Sequence, residues 1–353
     1  MASPALKACL STVVCVSCQT CHMRAVLTRT VACSYLAVIR GVRDKLPSSA
    51  SGKLRLCFTW FDAFKPRSKT YKYTWDFEAA NVWYNLGALH SSLGAHQDRS
   101  SQAGVRAAFK HYQEAVAAFT HLKEEIVPTL EGNLPAEFNQ AGLDMCIELH
   151  RGHGQSCFYE KAKMSSMKPG VLARLAMQAS VFYGSASTHC AVRACVQPSR
   201  PGSCGLAKLT VSPVVPALQS PVLSRLLVKE GYAKYCQYKT EVFKAAAEWQ
   251  QSRQILREAE AKSEGYGIEI AWLKRAHNSC QRALGHCSQP GDRESAQALQ
   301  TAIQTRLNVR VAQQGDGMPD RHGVAHRQVR CLPVPATASH GRQQRDLHRA
   351  SAA

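Results

Sequence analysis

Acidic side chains are scarce in this chain. Its 353 residues carry 25 Asp and Glu against 44 Lys and Arg, a formal net charge of +19, and the first acid is Asp44. No window holds about 18 consecutive apolar residues, which argues against a membrane-spanning helix. Sustained period-two alternation is missing too, so a large half-buried sheet is not expected. The phosphate-cradling P-loop, the dinucleotide glycine fingerprint, the nucleophile elbow and the HExxH zinc motif are all absent. What remains is ordinary: 45% hydrophobic and 20% charged residues. That composition excludes collagen, rod-like coiled-coil and wholly disordered classes, and the length can bury one large core or two smaller ones.

The excess of positive charge is uneven. Residues 1–53 hold seven basic and one acidic side chain, residues 54–285 hold 28 and 19, and residues 286–353 hold nine and five. More than half of the excess therefore lies in the flanks. This suits weak attraction to an anionic membrane or an acidic partner better than a dedicated nucleic-acid groove, and no specific nucleic acid is expected. The 15 cysteines are odd in number and scattered, unlike the dense framework of a small secreted domain, and read as mostly reduced thiols of a cytosolic chain. Cys15, Cys18, Cys21 and His22 have ligand-like spacing, but no second knuckle accompanies them. Residues 1–53 read as a basic leader, unstructured or targeting, with the missing acids resembling an organelle transit peptide.

Helical periodicity starts near Trp75. Ala79, Val82, Leu86, Leu89 and Leu93 share one helical face, as do Val105, Ala108, Tyr112, Ala115, Phe119, Leu122 and Ile126. Pro128 falls where the second helix should stop, and the two should pack as an antiparallel hairpin. A third helix is expected within 137–164, weakened by Gly152 and Gly154. A fourth opens at Pro169, whose missing N–H costs nothing in a first turn, and presents Val171, Leu175, Ala179 and Phe182. The prolines between 198 and 221 mark 191–224 as an inserted loop. Further helices are expected over about 229–262 and 266–285. Residues 313–353 read as a disordered basic tail. The fold class is all-α.

Trp83, Leu86-Gly87 and His90, followed by Ala108, Tyr112 and Ala115, resemble one tetratricopeptide unit. Five blocks give a more specific match: FTWFDAF at 58–64, EAANVWYNLGALHSSL at 78–93, GVRAAFKHYQEAVAAF at 104–119, CFYEKAKMSSMKPGVLARLAMQ at 157–178 and EGYGIEIAWL at 264–273. In this order they resemble the Bro-one domain of Alix-type endosomal-sorting adaptors. The resemblance covers about 54–190 and 225–285, and the domain is taken as 54–312. LHRGHGQS at 149–156 departs from the family pattern.

The resemblance implies a curved helical body with a tetratricopeptide-like core. It also implies a non-enzymatic adaptor, cytoplasmic and peripheral on endosomes, that binds the C-terminal amphipathic helix of an ESCRT-III filament subunit during multivesicular-body formation. No cofactor is expected. An anionic endosomal membrane surface is a further partner. Matching the fourth block places the docking patch on Phe158, Val171 and Leu175, with Lys161, Lys168 and Arg174 around it to meet acidic groups. Periodicity by itself would assign the three apolar residues to the core. A tetratricopeptide-like scaffold for an unrelated peptide is the competing reading. His150 and His153 beside Cys157 could suggest a nucleophilic dyad, but nothing in the sequence supplies an orienting third group. Trp60 and Asp62 read as structural, and Glu124-Glu125 as a solvated face.

Overall fold

Both apolar stripes read from the sequence become buried helix faces: Val82, Leu86, Leu89 and Leu93 on one helix, Val105, Ala108, Tyr112 and Phe119 on the next. The computed structural model describes residues 18–61, 69–195, 210–211, 231–262 and 266–315. Among these the chain forms helix α1 (Cys18–Arg43), strands β1 (Cys57–Phe61) and β2 (Lys69–Lys72), and helices α2 (Trp75–Ala95) and α3 (Gln102–His121). Then come α4 (Gln140–Met164), α5 (Pro169–Cys195), strand β3 (Thr210–Val211), α6 (Gly231–Lys262), α7 (Gly267–His286) and α8 (Pro290–Gly315). The chain divides into two compact units, Met1–Met164 with Phe182–Gln237 and Ser165–Val181 with Tyr238–Ala353.

In the first unit α2, α3 and α4 pack in succession. The Ser101 hydroxyl accepts from the Gly104 amide at 3.1 Å, capping the start of α3 and satisfying one of its orphan donors. After His121 the chain widens into a π turn (Leu122–Ile126) and tightens into a 3-10 turn (Val127–Thr129) around Pro128, so the proline ends the helix as its ring requires. Gly87 of α2 lies against the Phe119 ring, where a Cβ would meet three ring atoms at 2.7–2.9 Å. Gly152 does the same for α4: a Cβ there would sit 2.9 Å from the Tyr183 ring. The glycine that weakens α4 in isolation is the one that lets an aromatic side chain press onto its backbone.

The segment read as a leader includes a 26-residue helix, α1. Its Ala32 and Ile39 join the core that holds Phe58, Trp60, Phe77, Phe119 and Phe138. The Tyr35 hydroxyl donates to Glu78 Oε1 at 2.9 Å, Trp60 Nε1 donates to Glu78 Oε2 at 2.6 Å, and Arg43 Nη1 reaches Asp76 Oδ1 at 3.0 Å. Burial holds the Glu78 carboxyl above its ordinary range, with the two donated hydrogen bonds opposing that rise. Helix α1 is thus fixed to α2 through a buried acid, and its stretch from Ala32 to Arg43 packs into the folded body. Arg29, Arg40 and Arg43 of this helix are exposed, so the positive charge that marks the segment in the sequence lies away from its packed side.

The all-α body also carries a small three-stranded sheet, ordered β2-β1-β3. β1 pairs antiparallel with β2, placing Phe61 opposite Lys69, and parallel with β3. Phe58 and Trp60 face the core while Thr59 and Phe61 face out. Trp60 is structural, as read from the sequence; Asp62 lies outside the described residues.

In the second unit Leu273, Ala276 and Cys280 of α7 pack with Ala245 of α6 and Ile303 of α8. The first half of α5 is fixed to α6 by two hydrogen bonds, Gly170 N to Gln254 Oε1 at 3.2 Å and Ser180 Oγ to the Thr240 carbonyl at 2.9 Å. Two acids are buried: Glu248 takes a hydrogen bond from Ser279 and pairs with Arg275, and Glu269 pairs with Arg306 and Arg310. Arg310 is itself buried and stacks on the Tyr266 ring, 4.0 Å from its centroid. Periodicity marks no helix past 285, yet α8 is ordered by these pairs. Most of the inserted loop 191–224 and of the tail 313–353 lies outside the described residues; α5 runs to Cys195 and α8 to Gly315.

Candidate functional site

Helix α4 starts under an Asn139 cap, whose Oδ1 accepts from the Gly142 amide at 2.7 Å. Near its far end Cys157 and Tyr159 turn inward and Phe158 is left half-exposed. The Phe158 ring leans on Phe109 of α3 with centroids 4.4 Å apart, a tilted pairing that holds it upright. Arg99, in the α2–α3 loop, grips Glu160 with Nε and Nη2, both at 2.7 Å, and its Nη2 also reaches Ser156 Oγ at 3.2 Å. This forked pairing fixes the stretch of α4 that carries Phe158. Lys161, one turn on, is half-exposed, and Lys163 is exposed with its ammonium 5.7 Å from the Tyr159 ring centroid.

Helix α5 divides its apolar residues between two tasks. Leu172, Ala173, Ala176 and Ala179 are buried, whereas Val171 and Leu175 are half-exposed neighbours one turn apart, and Lys168 and Arg174 are exposed. Periodicity alone would have buried Val171 and Leu175 with the rest. Phe158 and Lys161 belong to the first compact unit, and Lys168, Val171, Arg174 and Leu175 to the second. Sequence reasoning missed the supports, Phe109 and Arg99. Phe109 stood inside the GVRAAFKHYQEAVAAF block, where its place beside the buried Ala108 was the available signal.

The group suggestive of nucleophilic chemistry has the wrong protonation. Burial pushes the Cys157 thiol up to about 11, against the opposing pull of Arg99, so it is not a thiolate at neutral pH. His150 is fully buried, donates from Nδ1 to the Cys146 carbonyl at 2.6 Å, and burial lowers its pKa to about 4. His153 stacks on Tyr112. Glu124 and Glu125 are exposed, as a solvated face requires. Cys15 lies outside the described residues, as do the side chains of Cys18, Cys21 and His22. Among the described residues no group of three or more His, Cys, Asp or Glu side chains could hold a metal ion, and no helix is long and apolar enough to cross a membrane.

Comparison with known proteins is consistent across three levels. The BRO1-like domain family model matches residues 15–312. The pH-response regulator protein palA/RIM20 of Emericella nidulans is 31% identical over 170 residues, 47% of this chain and 19% of that protein. Human programmed cell death 6-interacting protein is 28% identical over 248 residues, 69% of this chain and 24% of that protein. The chain therefore spans less than a quarter of the length of either relative. Among solved structures, the ALIX BRO1 CHMP4C complex superposes with a TM-score of 0.60 at 22% identity, covering 89% of this chain and 80% of that one.

Proposed function

This chain belongs to the BRO1-like domain family, and from that we infer that it is an adaptor of endosomal sorting that docks the C-terminal amphipathic helix of an ESCRT-III subunit. It acts without chemistry of its own, in the cytoplasm and peripherally on endosomes. The observation that carries the reading is the division of labour along α4 and α5. Phe158, Val171 and Leu175 stand half-exposed beside helix neighbours that are fully buried. Half-exposed apolar residues are common on helices, and Met177, Val181 and Phe182 of α5 are half-exposed as well, so what sets these three apart is their place in the block that resembles the family's docking segment. Such anchors suit a ligand helix with its own apolar stripe, and the CHMP4C held by the solved relative is taken as the class of partner. Lys161 on α4, and Lys168 and Arg174 at α5, offer positive charge to acidic groups on that helix, and the excess of +19 favours an anionic membrane as a further partner.

The test is calorimetric titration of the full chain with an ESCRT-III C-terminal helix peptide, unaltered and as Phe158→Asp. A central aromatic anchor is worth about 2 kcal/mol, so Asp should weaken binding about 30-fold while the chain keeps a cooperative melt. Equal affinity in the two forms, or no binding by the unaltered chain, overturns the reading. Capture of an unrelated peptide in place of the ESCRT-III helix would favour the tetratricopeptide-like scaffold.

A further inference from the structure

Phe109 stands off the buried stripe of α3. Val105, Ala108, Tyr112 and Phe119 make that stripe, whereas Phe109 is half-exposed and its neighbours Arg106, Lys110 and Gln113 are exposed. One side of Phe109 packs on the cluster that holds Cys157 of α4. A Cβ added at Gly154 would stand 3.5 Å from two atoms of the Phe109 ring, and the Phe158 ring centroid is 4.4 Å from its own, with the rings tilted by 59°. Gly154 and Phe158 are four residues apart on one face of α4. With no side chain at 154, the Phe109 ring settles against α4 beside Phe158. Gly154 lies in LHRGHGQS at 149–156, the stretch that departs from the family pattern, so this seat is a feature of the present chain and not of the resemblance. Phe109 and Phe158 both belong to the first compact unit, and their contact is set within it.

We propose, on the docking reading above, that Phe109 is itself a partner-contacting anchor: with Phe158 it forms a two-ring platform for the apolar stripe of the ESCRT-III C-terminal helix. An interface anchor gives its energy when water is excluded around it. Two rings in contact share the water along their common edge, so a helix that covers Phe158 covers that edge of Phe109 as well. Covering the half-exposed second ring removes apolar surface from water that Phe158 alone does not supply. Neither ring carries a hydrogen-bonding group, so the platform takes aliphatic or aromatic side chains of the ligand helix. A residue that only held Phe158 in place would act through that ring and would not touch the ligand; Phe109 touches it.

The test uses the full, unaltered chain and an ESCRT-III C-terminal helix peptide whose apolar stripe carries diazirine-bearing leucine. The complex is irradiated, digested with trypsin and read by mass spectrometry. Cleavage after Arg106 and Lys110 isolates Phe109 in fragment 107–110, and cleavage after Arg151 and Lys161 places Phe158 in fragment 152–161. Peptide adducts are expected on both fragments. Calorimetric titration of Phe109→Ala with the unlabelled peptide should show binding weakened about tenfold, with a cooperative melt retained. Adducts on 152–161 with none on 107–110 would overturn the proposal and leave the docking reading standing, as would unchanged affinity in Phe109→Ala. An unaltered chain that does not bind the peptide overturns both. The crosslink is read without any substitution, so a variant that folds poorly does not obscure the result.

Discussion

Replacing Gly87 with alanine drives a methyl group into a ring that has nowhere to go. The added Cβ would stand 2.7, 2.8 and 2.9 Å from three atoms of Phe119. Phe119 is 2% exposed, and Tyr84 and His150 flank it with ring centroids 5.4 Å away on either contact. The ring cannot rotate aside without displacing both, so α2 and α3 must part. Overpacking of this kind costs about 3 kcal/mol at the upper end of its range. Alanine returns about 1 kcal/mol through its better helix propensity, leaving a net loss of about 2 kcal/mol. For a chain of this size that lowers the melting temperature by about 3 °C. Gly41 is the matched control. It sits inside α1, and a Cβ added there would meet nothing within 4 Å, so Gly41→Ala should gain about 1 kcal/mol from propensity alone. Thermal melts followed by circular dichroism read both. Opposite signs are expected; a Gly87→Ala chain as stable as the unaltered one would refute the close α2–α3 approach.

Two further outcomes follow from buried polar groups. His150 has its pKa lowered by burial from 6.5 to about 4, so the native state binds fewer protons than the unfolded chain between those values. Its stabilising contribution is complete above pH 6.5 and is lost as pH falls toward 4, up to about 3 kcal/mol. Its ring neighbours are Tyr112, Phe119 and His153. Urea unfolding at pH 7 and 5 should show a steeper loss in the unaltered chain than in His150→Leu, and parallel losses would contradict the burial argument. Arg310→Met should destabilise by about 3 kcal/mol, because it strips Glu269, 1% exposed, of a partner at 2.9 Å and leaves Arg306 as its remaining cation. Adding Glu269→Gln to that variant should recover most of the melting temperature; no recovery would mean that the ion pair is not what Arg310 supplies.

The legible parts of the fold are those whose apolar residues repeat at helical spacing. Helices α2 to α7 follow from such stripes, from Pro128 and Pro169 at their boundaries, and from the five blocks that mark the family. Helix α8 was not legible past residue 285 because one of its core positions is an arginine. Ala296, Ile303 and Arg310 recur every seven residues and are all buried, but only the first two look apolar. Arg310 becomes a core residue through Glu269 and Tyr266, which lie on or beside another helix. Helix α1 was obscured in the same way, since Tyr35 seats itself on a buried Glu78 that the sequence presents as one more acid. The sheet was missed because five residues of alternation in β1 are too few to distinguish from chance.

The candidate site shows the same divide. The family resemblance of the fourth block singled out the stretch from Phe158 to Leu175, where helical spacing, a local property of the chain, would have assigned the same residues to the core. Whether Val171 or Leu172 turns inward depends on what packs against α5, and no local pattern carries that. Residue order alone was enough for the helical class, most helix boundaries and the family. Which apolar side chains are covered and which charges are buried emerged with the packed chain. The reason is physical: backbone geometry depends on residues a turn apart, while burial and pairing depend on residues brought together once the chain has closed on itself.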